Sequence, residues 1–254
     1  MNPRHTFLLF CGLCLALPHL AGCSPQAEST STPSVPALEA VTTETLTGNP
    51  DASSPMEEQA QSFGGPILSG IVGVPPDFED DFTGDTGWTY FASPCPFGSE
   101  AEMLHLQLGS TSCAFTNDAL SRKDFVLQFD SRMQVGDDMS LIQVNYHHKP
   151  TGGSIYQLAM SSTVQSWSVI IYKELANVQV AQGTSLLSPL GEFTHVQIIA
   201  RGSQSAIYIN GTPAAYFEDP EFDEVGRTWF SCTSYYETVC DFDNIQLWEL
   251  AKVP

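Results

Sequence analysis

The chain has 254 residues and a formal net charge of −20, from 9 Lys and Arg against 29 Asp and Glu. That balance excludes a polyanion as partner, because nucleic acid, acidic glycans and anionic lipid surfaces would all be repelled. It suits neutral sugars, cationic partners or calcium, and it keeps a protein soluble outside the cell.

The first element is a short apolar run. Arg4 precedes an apolar stretch from Phe7 to Leu17, a length that suits a signal peptide and falls short of the ~20 residues a bilayer-spanning helix needs. Leu20-Ala21-Gly22-Cys23 follows. The string resembles the bacterial lipoprotein box. The resemblance implies that residues 1–22 are a signal peptide and that Cys23 is acylated, so that lipid on Cys23 holds the chain on a membrane. Each buried CH2 of an acyl chain contributes ~0.8 kcal/mol to such anchoring. Ser24 rather than Asp follows the cysteine, which in a double-membrane cell favours the outer membrane. The expected address is the bacterial cell envelope, lipid-anchored and extracytoplasmic, at the outer membrane or cell surface.

Residues 23–76 read as a flexible tether. From Ser24 to about Gln61 the chain is rich in Ser, Thr, Pro, Ala and Glu and has no Lys, Arg or aromatic residue, so little offsets the entropy of ordering it. Phe63 to Pro76, FGGPILSGIVGVPP, is more apolar, but four Gly and three Pro interrupt it. It is expected to lie along the domain without forming a regular element.

Residues 77–254 alternate with period two. Leu104, Leu106 and Leu108 alternate with His105 and Gln107; Phe125, Leu127, Phe129 and Met133 oppose Val126, Gln128, Asp130 and Arg132; Val196, Ile198 and Ala200 alternate with His195 and Gln197. Such patterns mark strands with one buried and one wetter face. Asn210-Gly211 closes the run IYI as a hairpin signal. Ten to twelve strands and no amphipathic helix predict an all-β fold, a two-sheet antiparallel sandwich or jelly roll.

The segment opens with FEDDFTGDTGW and closes with FDNIQLWEL, and between them stands FTHVQIIARGSQSAIYINGTPAAYFED. This pattern resembles the concanavalin A-like lectin/glucanase sandwich, in particular the LamG-like and 3-keto-disaccharide hydrolase-like domains. The resemblance covers residues 77–250. It implies the sandwich, a sugar-binding face on the central strands, and terminal strands that are neighbours. It does not choose among lectin, hydrolase and adhesion roles, because function sits in the site and not in the fold.

Four cysteines remain after the signal and the lipidation site: Cys95, Cys113, Cys232 and Cys240. In an exported domain an even set reads as disulfides with three possible connectivities. Cys95–Cys113 and Cys232–Cys240 are favoured, since each pair flanks a hairpin or loop.

Candidate chemistry is sparse. Family 16 glucanases of this fold carry E-x-D-x-E or E-x-D-x-x-E on one strand, where two carboxylates act as nucleophile and acid. The nearest string here, Glu221-Phe222-Asp223-Glu224-Val225-Gly226, lacks the third acid at both spacings and follows a turn. No catalytic residue is assigned. His147 and His148 end a predicted strand; adjacent strand residues point to opposite faces, so they are candidates for ligand contact rather than joint metal ligands. Tyr146, Tyr156, Trp167 and Tyr172 lie on the central strands and are the candidate stacking rings for a sugar. Trp88, Trp229 and Trp248 read as core. Calcium is the one cofactor suggested, through Asp80 and Asp81 near the first strand and Asp241, Asp243 and Asn244 near the last.

The expected function is a surface-anchored lipoprotein whose non-enzymatic sandwich binds a neutral glycan or another extracellular partner such as a surface protein. The alternatives are a glycoside or keto-sugar hydrolase of the same fold and a structural protein-interaction module.

Overall fold

The computed structural model describes residues 54–252 apart from 85–86, 91–96, 101, 110–111, 149–153, 174–175 and 223. Cys23, Cys95 and Asp223 lie outside the described residues. Among the described residues one helix precedes the strands: α1 (Pro55–Ile71). The strands are β1 (Phe78–Asp80), β2 (Thr89–Tyr90), β3 (Phe97–Glu100), β4 (Met103–Leu108), β5 (Ser112–Thr116), β6 (Phe125–Val135), β7 (Leu141–His148), β8 (Ile155–Ser161), β9 (Ser166–Lys173) and β10 (Ala176–Thr184). They continue as β11 (Thr194–Arg201), β12 (Gln204–Ile209), β13 (Thr212–Glu218), β14 (Arg227–Thr233) and β15 (Thr238–Glu249).

The strands form two antiparallel sheets. The eight-stranded sheet has the order β13-β12-β11-β6-β15-β4-β3, with β1 also paired to β15; the seven-stranded sheet has the order β10-β9-β8-β7-β14-β5-β2. The terminal strands β1 and β15 are neighbours, with Asp80 opposite Ile245. The alternating apolar sets of β4, β6 and β11 face inward, and one core containing Leu106, Leu127, Phe129 and Ile198 fills the space between the sheets. Cys232 and Cys240 are joined in a disulfide between β14 and β15, and so cross from one sheet to the other. Cys113 is also disulfide-bonded, and it lies opposite Cys232 in the register of β5 and β14.

Helix α1 corrects the expectation of an unstructured run up to residue 76. Ser54 and Glu57 form a capping box: the Ser54 hydroxyl accepts the Glu57 N–H at 3.3 Å, and the Glu57 carboxylate accepts the Ser54 N–H at 2.8 Å. Pro55 sits at the start of the helix, where its missing N–H costs nothing. Pro66 falls on the exposed side, so water can serve the carbonyl that its ring frees. With three glycines and a proline in its second half, the helix depends on tertiary packing more than on propensity.

That packing is a second core. Ala60, Gly64 and Ile71 are buried along one side of α1 and cover Val126, Ile199, Ala206, Tyr208 and Trp248 on the outer face of the eight-stranded sheet. The Tyr208 hydroxyl donates to the Ala60 carbonyl at 2.8 Å, and the Trp248 indole donates to the Val74 carbonyl at 2.8 Å. Gly64 permits the close approach: a Cβ there would stand 2.7 Å from both Ile199 Cδ1 and the Tyr208 ring. Trp248 is thus buried in this second cluster and not between the sheets.

Alanine is ordinarily worth about 1 kcal/mol over glycine inside a helix. Gly65→Ala, whose Cβ would meet only the flexible Gln61 side chain, is expected to raise the melting temperature. Gly64→Ala is expected to lower it, by about 1–3 kcal/mol of overpacking. Thermal unfolding of the two variants checks the seat of the helix, since opposite signs are required.

Candidate functional site

The outer face of the seven-stranded sheet carries a groove of about 590 Å³. Register places its walls. Gln143 on β7 stands opposite Ala159 on β8, Ala159 opposite Ser168 on β9, and Ser168 opposite Gln182 on β10. The next row runs Asn145, Gln157, Ile170 and Gln179. Tyr172 stands at one end of the groove, and Ser166 with Thr184 at the other. No lining residue of the groove is charged, although the chain carries a net charge of −20.

The amides of this face are oriented by hydrogen bonds. Gln157 Nε2 donates to Asn145 Oδ1 at 2.9 Å, and the Tyr172 hydroxyl donates to Gln157 Oε1 at 2.9 Å. Gln143 Oε1 accepts from the Ser231 and Thr233 hydroxyls, each at 3.2 Å. With its carbonyl so engaged, Gln143 offers its N–H2 to the groove. Pre-oriented neutral donors beside the tyrosine and Ile170 form the kind of surface that meets a ring of hydroxyls with an apolar face.

The four candidate rings do not share this face. Tyr146, Tyr156 and Trp167 belong to the core between the sheets; Trp167 also borders the groove beside Gly183, and Tyr172 alone of the four has the parity of the outer face. The parity of the strands decides it. Tyr146 follows Ile142 and Val144, Tyr156 precedes Leu158 and Met160, and Trp167 precedes Val169 and Ile171, all inward; Tyr172 shares the opposite parity with Ser166, Ser168 and Ile170. The same parity exposes a signal missed in the sequence: Gln, Asn and Ser recur without charge on one face of consecutive strands. Burial pushes the Tyr146 and Tyr156 hydroxyl pKa values up, and the Asp219 carboxylate adds to the rise at Tyr156, so both rings stay protonated.

His147 and His148 part, but on the sides opposite to strict alternation: a register shift of β7 against β14, between Arg227 and Trp229, turns the His147 ring inward beside Tyr146 and leaves His148 outside. His147 has φ +56° and is buried, with its ring stacked on Phe222 at 3.8 Å. That burial removes it as a ligand contact. His148 meets the edge of Trp229 at 5.0 Å, and burial together with the Arg227 charge lowers its pKa. Trp229 stands opposite Asn145. It therefore belongs to the outer face of the sheet and not to the core, although it is buried there. Glu221 accepts the Ser154 hydroxyl at 2.6 Å and faces the Lys173 ammonium at 3.5 Å. It is placed as a loop anchor beside Phe222.

The acids near the chain ends meet, but their oxygens are largely committed. Asp80 is buried and accepts the Phe82 N–H at 2.7 Å and the Trp88 indole. Asp241 is buried under Arg132 at 2.7 Å, His105 at 2.8 Å and Gln134. A guanidinium so placed opposes a second cation at Asp241, while the Asp80 oxygens are engaged by Phe82 and Trp88. Asp81 binds the N–H and hydroxyl of its neighbour Thr83. Asp243 accepts the Asn244 N–H at 2.7 Å, and Asn244 Nδ2 donates to Asp130 at 2.8 Å. Burial raises the Asp243 pKa, and the charges of Asp130, Asp81 and Glu102 add to the rise. Among the described residues no group of three or more His, Cys, Asp or Glu is placed to hold a metal ion.

No known family model matches the sequence, and no curated protein matches it. Solved structures do match in fold. A carbohydrate-binding module, CBM66, from Bacillus subtilis superposes with a TM-score of 0.51 at 14% identity, covering 65% of this chain and 96% of that one. A Bacillus licheniformis β-glucanase gives 0.58 at 8% identity, covering 69% and 99%. LamAcat from Zobellia galactanivorans gives 0.58 at 7% identity, covering 71% and 100%. The chain has the concanavalin A-like jelly-roll fold, as the opening and closing strands implied. Identities this low carry the fold and nothing finer.

Two measurements check this geometry. Tyr156→Ala is expected to cost about 3–5 kcal/mol of stability as a core truncation, whereas Tyr172→Ala should cost well under half of that in the same thermal melts. Asp130 supplies a pH test. Burial alone would raise its pKa, but hydrogen bonds from His195 and Asn244 outweigh it and hold the carboxyl below its ordinary value. A carboxylate depressed in the folded state stabilises above its unfolded pKa and loses that contribution as pH falls through the folded one. Wild type and Asp130→Asn are therefore expected to differ in melting temperature near neutrality and to converge below the ordinary aspartate range.

Proposed function

We propose that this protein is a lipid-anchored envelope protein whose sandwich binds a neutral glycan, without turnover, in the groove of the seven-stranded sheet. The observation that carries the reading is the groove itself, an uncharged row of oriented amides and hydroxyls with Tyr172 at its end, set in a strongly acidic chain. Neutral sugar hydroxyls pair with such donors and acceptors, and an apolar sugar face stacks on a ring. An acidic polysaccharide would meet the net charge of the domain instead. The carbohydrate-binding module among the fold neighbours supports the same reading by analogy.

A hydrolase would need two carboxylates flanking the bond to be cut, about 5–10 Å apart. The lining of the groove holds no carboxylate, and this favours binding over cleavage. Membrane attachment through lipid on Cys23 stands on the Leu20-Ala21-Gly22-Cys23 string.

The test is an array of neutral glycans probed with the full chain. A retained glycan should lose about 1–3 kcal/mol of affinity, roughly 5- to 150-fold, with Tyr172→Ala or Gln143→Ala, while each variant stays folded and melts well above Tyr156→Ala. Capture of no neutral glycan, or equal binding by both variants, would overturn the groove assignment; cleavage of the captured glycan would make the protein a hydrolase. Cys23→Ala should move the chain from the membrane to the soluble fraction on cell fractionation.

A further inference from the structure

Strand β10 ends the order of the seven-stranded sheet, so among the described residues no strand pairs with its far side. An edge strand presents a row of unpaired N–H and C=O groups, and proteins usually guard it with charge, proline or brevity. The other described edges are guarded. β13 carries Pro213, Glu218 and a register shift, while β2 and β3 have two and four residues. β10 has nine residues, ANVQVAQGT, with neither charge nor proline. It lies in a stretch that has no charged residue between Glu174 and Glu192. Its one guard is the register shift between Gln179 and Ala181. Val178 stands opposite the core residue Ile171, yet it is 44% exposed at the rim of the sandwich.

We propose that β10 is a self-pairing edge, along which two copies of this chain join antiparallel to form one continuous sheet. Charge selects the occupant. Two copies that each carry −20 repel over most of their surfaces, and they can approach closely only along a strip without charge. A basic peptide would find no counter-charge on this strip. A second copy brings the same uncharged strand and the same exposed Val178, as an isologous pair requires. The two-fold axis of an antiparallel strand pair is perpendicular to the sheet, so both copies keep the same face forward. Because Gln179, Gln182 and Thr184 of β10 also line the groove, pairing sets two grooves side by side on one face. The pairing itself does not rest on what the groove binds.

The experiment is sedimentation velocity of the full chain in mild detergent over a range of concentrations, with amide hydrogen exchange on the same samples. Wild type is expected to show twice the single-chain mass at tens of micromolar, with protection of the β10 amides that rises with concentration. Val178→Lys should halve the mass, because each pair would then carry two facing cations, and the uncharged Val178→Thr should leave it doubled. Asn177→Lys, at an exposed position, repeats the test if Val178→Lys lowers the melting temperature. A wild-type monomer throughout overturns the proposal. So does a dimer that both lysine variants leave intact, or one whose β10 amides stay unprotected.

Discussion

Four phenylalanines, two from each sheet, meet edge-to-face or stacked in the middle of the sandwich. Phe115 and Phe230 come from the seven-stranded sheet, Phe129 and Phe242 from the eight-stranded one, and their ring centroids stand 5.1–5.7 Å apart. Trp88 closes the cluster against Phe115 at 5.2 Å. Rings of this size bury large apolar areas and prefer such offset geometries. They fix which face of β5, β14, β6 and β15 turns inward, and the neighbours paired to these strands follow in register. The Cys232–Cys240 disulfide ties the same two sheets beside this cluster.

The two outer faces then diverge. On the eight-stranded sheet one region is apolar and lies under α1, while another is a lattice of polar pairs. There Gln197, Gln128, Gln246 and Glu79 form a ladder across β11, β6, β15 and β1 with steps of 2.7–3.1 Å. Asp241 with Arg132, and Asp130 with His195, complete it. These groups satisfy one another and leave little for a ligand. On the seven-stranded sheet the amides are oriented but only partly consumed. This contrast directs the functional reading to the groove face, where a neutral ligand could use what the protein leaves open.

Much of this was legible from residue types alone. Alternation in β4, β6 and β11 identified the inner faces, because a period of two can bury only one side of a strand. The capping sequence of Ser54, Pro55 and Glu57 was legible too, but the glycines and Pro66 that follow argue against a helix by propensity. The stronger clue lay elsewhere. Val126, Ile199, Ala206 and Tyr208 are apolar at positions whose parity turns them outward, and such residues need a cover. That cover is α1, and Gly64 is the residue that lets it sit closely.

The chain by itself therefore determined the fold class and its acidic character, since these follow from local periodicity and composition; the meeting of its terminal strands was what the family resemblance of its opening and closing motifs implied. Only the tertiary structure decided which aromatic residues could meet a ligand. Tyr146, Tyr156 and Tyr172 are alike as residues, and two of them became core because they share the parity of the apolar residues that the packed sheets turn inward, whereas Tyr172 has the opposite parity and was left outside. The structure also decided that Asp241 is paired with the Arg132 guanidinium and hydrogen-bonded to His105, because that pairing joins residues more than a hundred positions apart. Long-range register is a property of the packed sheets, and no single strand contains it.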